Sequence, residues 1–233
     1  IISITGSCGK TTLKDMIGFT LSKISKTTYS PSSFNNKYGV PFSLLNLKQN
    51  DEFGVFEVGM DKKGEIDNLT KIIKPDLGII TNISYAHSKN FKNINQIAEA
   101  KAEIMKNIKK NGAVVLNRDD KFYNFHKNFA IKRKLKVISF GIKSKSSTVK
   151  LEKIKKIKNY YELFINVNGL LVSFYFPNDN KSNLYNILAT LASIFTFINI
   201  KKLKKENFFN FKIPSGRGNI LKVKLKDKNF FLV

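Results

Sequence analysis

Residues 1–17, IISITGSCGKTTLKDMI, decide the fold. Ile1, Ile2 and Ile4 form a short apolar, β-prone run, and Leu13, Met16 and Ile17 recur at helical spacing. Between the two lies Gly6-Ser7-Cys8-Gly9-Lys10-Thr11-Thr12. A strand, a glycine turn, Lys-Thr and a helix form the layout of a phosphate-binding loop. Glycine lets the backbone fold so tightly that successive N–H groups face one anion, and the helix N-terminus adds partial positive charge. Gly6, Ser7, Cys8, Gly9, Lys10, Thr11 and Thr12 are therefore expected to bind ATP. Lys10 would reach the β- and γ-phosphates and the Thr11 hydroxyl a Mg²⁺. Two residues separate the glycines, where the general pattern has about four, so the loop is a shortened one. The bland alternative is a glycine turn feeding a helix, with Lys10 solvated.

Outward from the loop, the strand at 1–5 and the helix at 12–22 are followed by apolar strands at 53–58, 77–81, 112–116 and 136–140. An amphipathic helix is expected at 97–108. Short apolar strands separated by helices predict an α/β fold: a mostly parallel, phosphate-loop-type sheet with helices on both faces. The pattern then changes. Segments 160–167 and 170–176 flank Asn168-Gly169, the preferred pair for a two-residue hairpin turn, which adds a small antiparallel β-ribbon. A strongly apolar helix follows at 184–198, and the chain ends on a strand that alternates and then turns apolar.

Composition narrows the function classes. The chain has 233 residues, enough to bury a core without staples. Its single cysteine, Cys8, rules out an intrachain disulfide. It lacks any run of ~18–20 apolar residues, so a membrane span is not expected, and no signal peptide is read at the start. The formal charge is +24, from 41 Lys+Arg against 17 Asp+Glu. Such a balance suits a polyanion partner, but it also follows from compositional bias, because lysine dominates alongside many Asn, Ile and Phe residues. Lysines cluster at 132–136 and 153–158, and there is little arginine for bidentate phosphate contacts. No nucleic-acid partner is expected. A basic nucleic-acid-binding P-loop protein stays the rival reading of another class.

Further blocks stand in order along the chain: SSFNNKYGVPFSLLNL at 32–47, FEVGMDKKGEI at 56–66, PDLGIITNISYAH at 75–87, AEAKAEIM at 98–105, VVLNRDD at 114–120, SNLYNILATLA at 182–192 and PSGRGN at 214–219. With TGSCGKTT at 5–12, this sequence resembles the Mur ligase family, the ATP-dependent amino-acid and peptide ligases of cell-wall synthesis, whose loop has this shortened form. The resemblance is dense to Asp120, weak across 121–178 and moderate beyond. The NNxxGVP and EVGMDKKGEI blocks are most similar to members that add D-alanyl-D-alanine to UDP-MurNAc-tripeptide. Another Mur-type ligase or a folylpolyglutamate synthase is the alternative within the superfamily.

The resemblance implies that 1–219 is the central ATP-binding domain and that 220–233 is a strand leading toward a C-terminal domain. An N-terminal UDP-sugar domain and that C-terminal domain are expected to lie outside this chain, which alone would then bind Mg-ATP without ligating. It also implies a monomeric, cytoplasmic enzyme that passes the ATP γ-phosphoryl to a substrate carboxylate, so that an amine can attack the acyl phosphate. Positioning and charge neutralisation carry such a transfer.

Residue by residue, the resemblance makes Lys10, Lys101 and His87 catalytic. Thr11, Glu57, His87 and a carbamylated Lys101 become Mg²⁺ ligands, with a solvent-facing strand-end Glu57 and a solvated helix lysine as the plain alternatives. Asn183 would contact the adenine, although Ser182 stands where the family has a histidine before it. Arg217 would lie near the ATP phosphates, or else be a surface arginine. Asn35 and Asn36 would shape the UDP-MurNAc-peptide site, or form Asx turns. Thr81 and Asn82 end a strand facing the site. Asn117, Asp119 and Asp120 end the next, with turn chemistry an equal reading. His126 is expected on the surface.

Overall fold

The computed structural model describes residues 1–85, 90–214, 221–225 and 228–232. The chain runs β1 (Ile2–Thr5), α1 (Lys10–Ser22), β2 (Thr27–Tyr29), α2 (Gly39–Leu45), β3 (Phe53–Glu57), α3 (Glu65–Ile73), β4 (Leu77–Ile80), α4 (Ile94–Ala102), β5 (Ala113–Asn117), α5 (Tyr123–Lys132) and β6 (Lys136–Gly141). It continues through β7 (Val149–Ile157), β8 (Tyr160–Val167), β9 (Leu170–Phe176), α6 (Lys181–Ile194), β10 (Leu221–Leu225) and β11 (Lys228–Leu232).

Among the described residues, nine strands form one sheet in the order β2-β3-β1-β4-β5-β6-β7-β8-β9. Pairing is parallel from β2 to β7 and antiparallel from β7 to β9. The parallel strands alternate between two apolar layers. Ile2, Ile4, Val55, Leu77, Ile79 and Val115 pack under α1 and α6. Phe56, Ile80, Val114 and Leu116 pack under α3, α4 and α5. Burial on both faces explains why these strands read as continuous apolar runs.

The chain steps from β1 outward to β2 and β3 on one side and to β4 on the other, so β1 lies at the point where strand order reverses. Such sheets bind ligands beyond the carboxyl ends of the strands at that point, which is where the glycine loop emerges.

The ribbon has three strands. Asn168 (φ 50) and Gly169 (φ 92) make the left-handed two-residue turn expected of an Asn-Gly pair. Only two rungs, Phe140–Val149 and Gly141–Lys150, join β6 to β7, so most of β7 runs on past the end of β6, with Lys153, Lys155 and Lys156 exposed.

Three details differ from expectation. The helix read at 97–108 is α4 followed by a tighter 3₁₀ turn, Glu103–Asn107. The helix read at 184–198 starts and stops earlier, at Lys181 and Ile194. The single closing strand is two strands, β10 and β11, paired antiparallel. Among the described residues no helix is long and apolar enough to cross a membrane.

Candidate functional site

Beyond β1 the chain turns through Gly6 (φ 144) and Gly9 (φ 81). At Gly6 a Cβ would lie 1.8 Å from Thr81 Oγ1, so only glycine lets the loop press against the end of β4. Hydrogen bonds stitch it there. The Ser7 N–H donates to the Asn82 carbonyl at 2.9 Å. The Ser7 hydroxyl donates to the Ser84 carbonyl at 3.0 Å and accepts the Ser84 N–H at 2.9 Å. The Cys8 N–H donates to Asn82 Oδ1 at 3.0 Å, and the Thr81 hydroxyl donates to the Cys8 carbonyl at 2.7 Å. Thr81 and Asn82 thus act as clamps on the loop.

Gly9 begins α1 without a side-chain cap, which leaves the first N–H groups of the helix for an anion. Lys10 Nζ folds back to donate to the Gly6 carbonyl at 3.0 Å. The ammonium therefore lies over the nest that its neighbours' backbone forms.

Glu57 ends β3 and is 1% exposed, which rules out the solvent-facing alternative. Both its oxygens are held: Oε2 accepts the Thr11 hydroxyl at 2.8 Å and Oε1 accepts Asn35 Nδ2 at 2.6 Å. A buried carboxylate needs such compensation. Among the described residues no three of His, Cys, Asp and Glu converge into a metal cluster. One carboxylate beside one hydroxyl is still a donor set that suits Mg²⁺, which keeps several waters.

Lys101 lies on α4, also 1% exposed, so the solvated-lysine alternative falls as well. Together with Lys10, Asn35, Asn36 and Asp61 it lines a cavity of about 480 Å³. Burial, reinforced by the Lys10 charge, pulls the Lys101 pKa down to about 7, with Cys8 acting weakly the other way. Part of the amine is therefore neutral near pH 7.

A second cavity, about 330 Å³, opens on the other side of the loop beside Cys8, Gly9, Asn117, Tyr185 and Asn186. Asn183 is buried but turned away, donating to Asn178 Oδ1 at 3.2 Å. Asn186, one turn along α6, lines the cavity, with Oδ1 3.1 Å from where a Gly9 Cβ would stand. Sequence reasoning missed Asn186, although it stands only three residues along from Asn183 in SNLYN.

Around this cavity the acidic residues do turn chemistry. Asp119 accepts the N–H groups of Ile142 (2.6 Å), Lys143 (2.9 Å) and Ser144 (2.9 Å) and the Tyr185 hydroxyl (2.9 Å). Burial alone would raise its pKa; these donors, led by Lys143 and Ile142, outweigh that and hold it below the ordinary carboxylate value. Burial and the bond to Asp119 push the Tyr185 hydroxyl up. Asp120 accepts the Ile83 and Phe122 N–H groups, both at 2.8 Å. Asn117 Nδ2 donates to the Thr81 carbonyl at 3.2 Å. Asn36 Oδ1 accepts the N–H groups of Tyr38 (3.1 Å) and Gly39 (2.9 Å), an Asx turn opening α2.

His126 departs from the expectation of a surface residue: it is 2% exposed, and Nε2 bonds the Ala98 carbonyl at 3.0 Å. Tyr123, His126 and Ala130 form the buried face of α5, a helical spacing that accounts for the burial. His87 and Arg217 lie outside the described residues.

The sequence matches the Mur ligase middle domain over residues 4–194. It is 34% identical over 218 residues to the UDP-N-acetylmuramoyl-tripeptide–D-alanyl-D-alanine ligase of Buchnera aphidicola, covering 88% of this chain and 45% of that protein. Among solved structures, MurF from Acinetobacter baumannii superposes with a TM-score of 0.87 at 27% identity, covering 99% of this chain and 49% of the other. MurF ligase from Thermotoga maritima, solved in complex with ADP, gives 0.80 at 26% identity, covering 96% and 51%. The chain spans about half the length of the curated relatives it matches.

Proposed function

The chain is a member of the Mur ligase family, matched over its middle domain, and on that premise we propose that it is the Mg-ATP-binding part of a ligase joining D-alanyl-D-alanine to UDP-MurNAc-tripeptide. We assign 1–219 to the nucleotide-binding unit of a monomeric, cytoplasmic enzyme. One arrangement carries the reading: Lys10, the Thr11–Glu57 pair and the buried amine of Lys101 converge beside a backbone nest at the strand-order reversal.

In this reading the loop N–H groups cradle the β- and γ-phosphates, and Lys10 exchanges the Gly6 carbonyl for phosphate oxygens. Bound Mg²⁺ would neutralise charge that builds on the transferring phosphoryl group; Thr11 and Glu57 are the described residues that would hold it. Burial keeps Lys101 Nζ sufficiently deprotonated to add CO₂. The neutral amine adds CO₂ with formation of an N–C bond, one proton leaves to solvent, and the side chain becomes an anionic oxygen donor facing the same cavity. Asn35 holds Glu57, while Asn36 and Lys37 line the wall open to an acyl substrate. Asn186 and Tyr185 line the opposite cavity, where the nucleoside would lie.

Titration calorimetry with ATP and Mg²⁺ tests the reading. The parent chain should bind. Lys10→Ala should weaken binding by about 1.5–3 kcal/mol, the range for hydrogen bonds to charged groups. No heat from the parent, or parental affinity in Lys10→Ala, would overturn it. A carbamate signal from ¹³C-bicarbonate, absent in Lys101→Met, would report the modification.

A further inference from the structure

Lys14 lies one turn beyond Thr11 on α1 and is completely buried. It lines neither cavity. Its ammonium donates to the Ser30 carbonyl at 2.6 Å and the Ser32 carbonyl at 2.8 Å, and pairs with the Asp15 carboxylate at 2.6 Å. That accounts for its three N–H donors. Nothing in phosphate binding uses this group, and a buried cation is retained at the expense of its hydration.

The segment it grips is strained and well placed. Ser32 has φ 45, a left-handed conformation that serine seldom adopts. The Ser30 hydroxyl accepts the Glu57 N–H at 3.2 Å, and the Ser30 N–H donates to the Val55 carbonyl at 3.0 Å, which fixes the turn beside β3. Three residues beyond Ser32, Asn35 donates to Glu57 Oε1 at 2.6 Å, while its own carbonyl accepts the Gly59 N–H at 2.8 Å. Thr11 holds the other Glu57 oxygen. Helix α1 therefore orients both oxygens of one buried carboxylate: one directly through Thr11, the other through the turn that Lys14 clamps.

We propose that Lys14 is a positioning residue for Glu57, locking the 30–35 turn so that Asn35 presents the carboxylate to a divalent cation. This rests on the reading of Thr11 and Glu57 as the Mg²⁺ site. Without the ammonium, the left-handed turn at Ser32 relaxes, Asn35 withdraws, and Glu57 keeps only its bond from Thr11. The phosphate nest, built from other residues, is untouched.

The test is calorimetric titration of ADP into the 233-residue chain, with Mg²⁺ and with EDTA. The ratio of the two affinities isolates the metal's contribution. Lys14→Met should lower that ratio about 10–100-fold, as loss of groups that orient a metal ligand does, with the metal-free ADP affinity unchanged. Asn35→Ala should produce the same fall, and the double variant should fall no further, because both act on one bond. A general loss of stability would not move the ratio. Additive losses, or a parental ratio in folded Lys14→Met, would overturn the role of Lys14. Should Lys14→Met fail to fold, Lys14→Gln, which retains an N–H donor, carries the same comparison. An absence of any Mg²⁺ effect in the parent would instead overturn the reading of the metal site.

Discussion

Lys101 offers a quantitative check on the electrostatics of the site. Its ammonium belongs in water; burial lowers its pKa from 10.5 to about 7. Between these values the unfolded chain binds a proton that the folded chain does not, so stability rises with pH across that window. At pH 7 the imbalance amounts to about 4 kcal/mol, at pH 9 to about 2, and near pH 10.5 it closes. Below pH 7 both states hold the proton and the difference levels off.

Lys101→Met keeps the length of the side chain and removes the charge. In CO₂-free buffer, urea unfolding should show the variant more stable than the parent by those amounts, with the gap shrinking as pH rises. A gap that ignores pH would refute burial as its source, and a less stable variant at pH 7 would refute an uncompensated ammonium.

Two further outcomes follow from geometry. Gly6→Ala should lose about 3–5 kcal/mol in thermal unfolding, because the new Cβ meets Thr81 Oγ1 and takes up a backbone angle strained for it; Gly6→Ala with Thr81→Ala should recover part of it, and an unaltered melting point would refute the tight loop packing. Asp119 has its folded pKa below the ordinary 3.8, so its stabilisation is present above that value and lost as pH falls through the folded pKa. Asp119→Asn should flatten that acid-side loss in urea titrations, and identical pH slopes for parent and variant would count against it.

What could be read in advance followed where local pattern and long-range structure agree. The β1–loop–α1 unit, the parallel strands and the Asn-Gly turn were legible because each writes its own period or turn chemistry into adjacent residues. Strand β7 is not legible as a strand: VKLEKIKKI carries lysines on both faces, since it runs beyond the layer that would have buried one of them. Helix α3 was legible in principle, as Ile66, Leu69, Thr70 and Ile73 share a face, but it was read only as part of a motif.

At the candidate site, Lys10, Thr11, Glu57 and Lys101, grouped by expectation from the sequence, lie in one region of the fold. The sequence did not distinguish an asparagine facing a cavity from one facing its neighbour: Asn186 does the former and Asn183 the latter. Lys14 was invisible for a simpler reason. Its burial depends on residues many positions away, Ser30 and Ser32, and in so basic a chain any single lysine looks like surface.

The surplus of lysine has a local consequence along β7. Past the rung between Gly141 and Lys150 one side of this strand carries no ladder partner among the described residues, the kind of edge on which strands of other molecules pair. Lys153, Lys155 and Lys156 set like charges wherever two such edges would meet. Like charges there oppose edge-to-edge pairing, and added salt, by screening them, weakens that opposition.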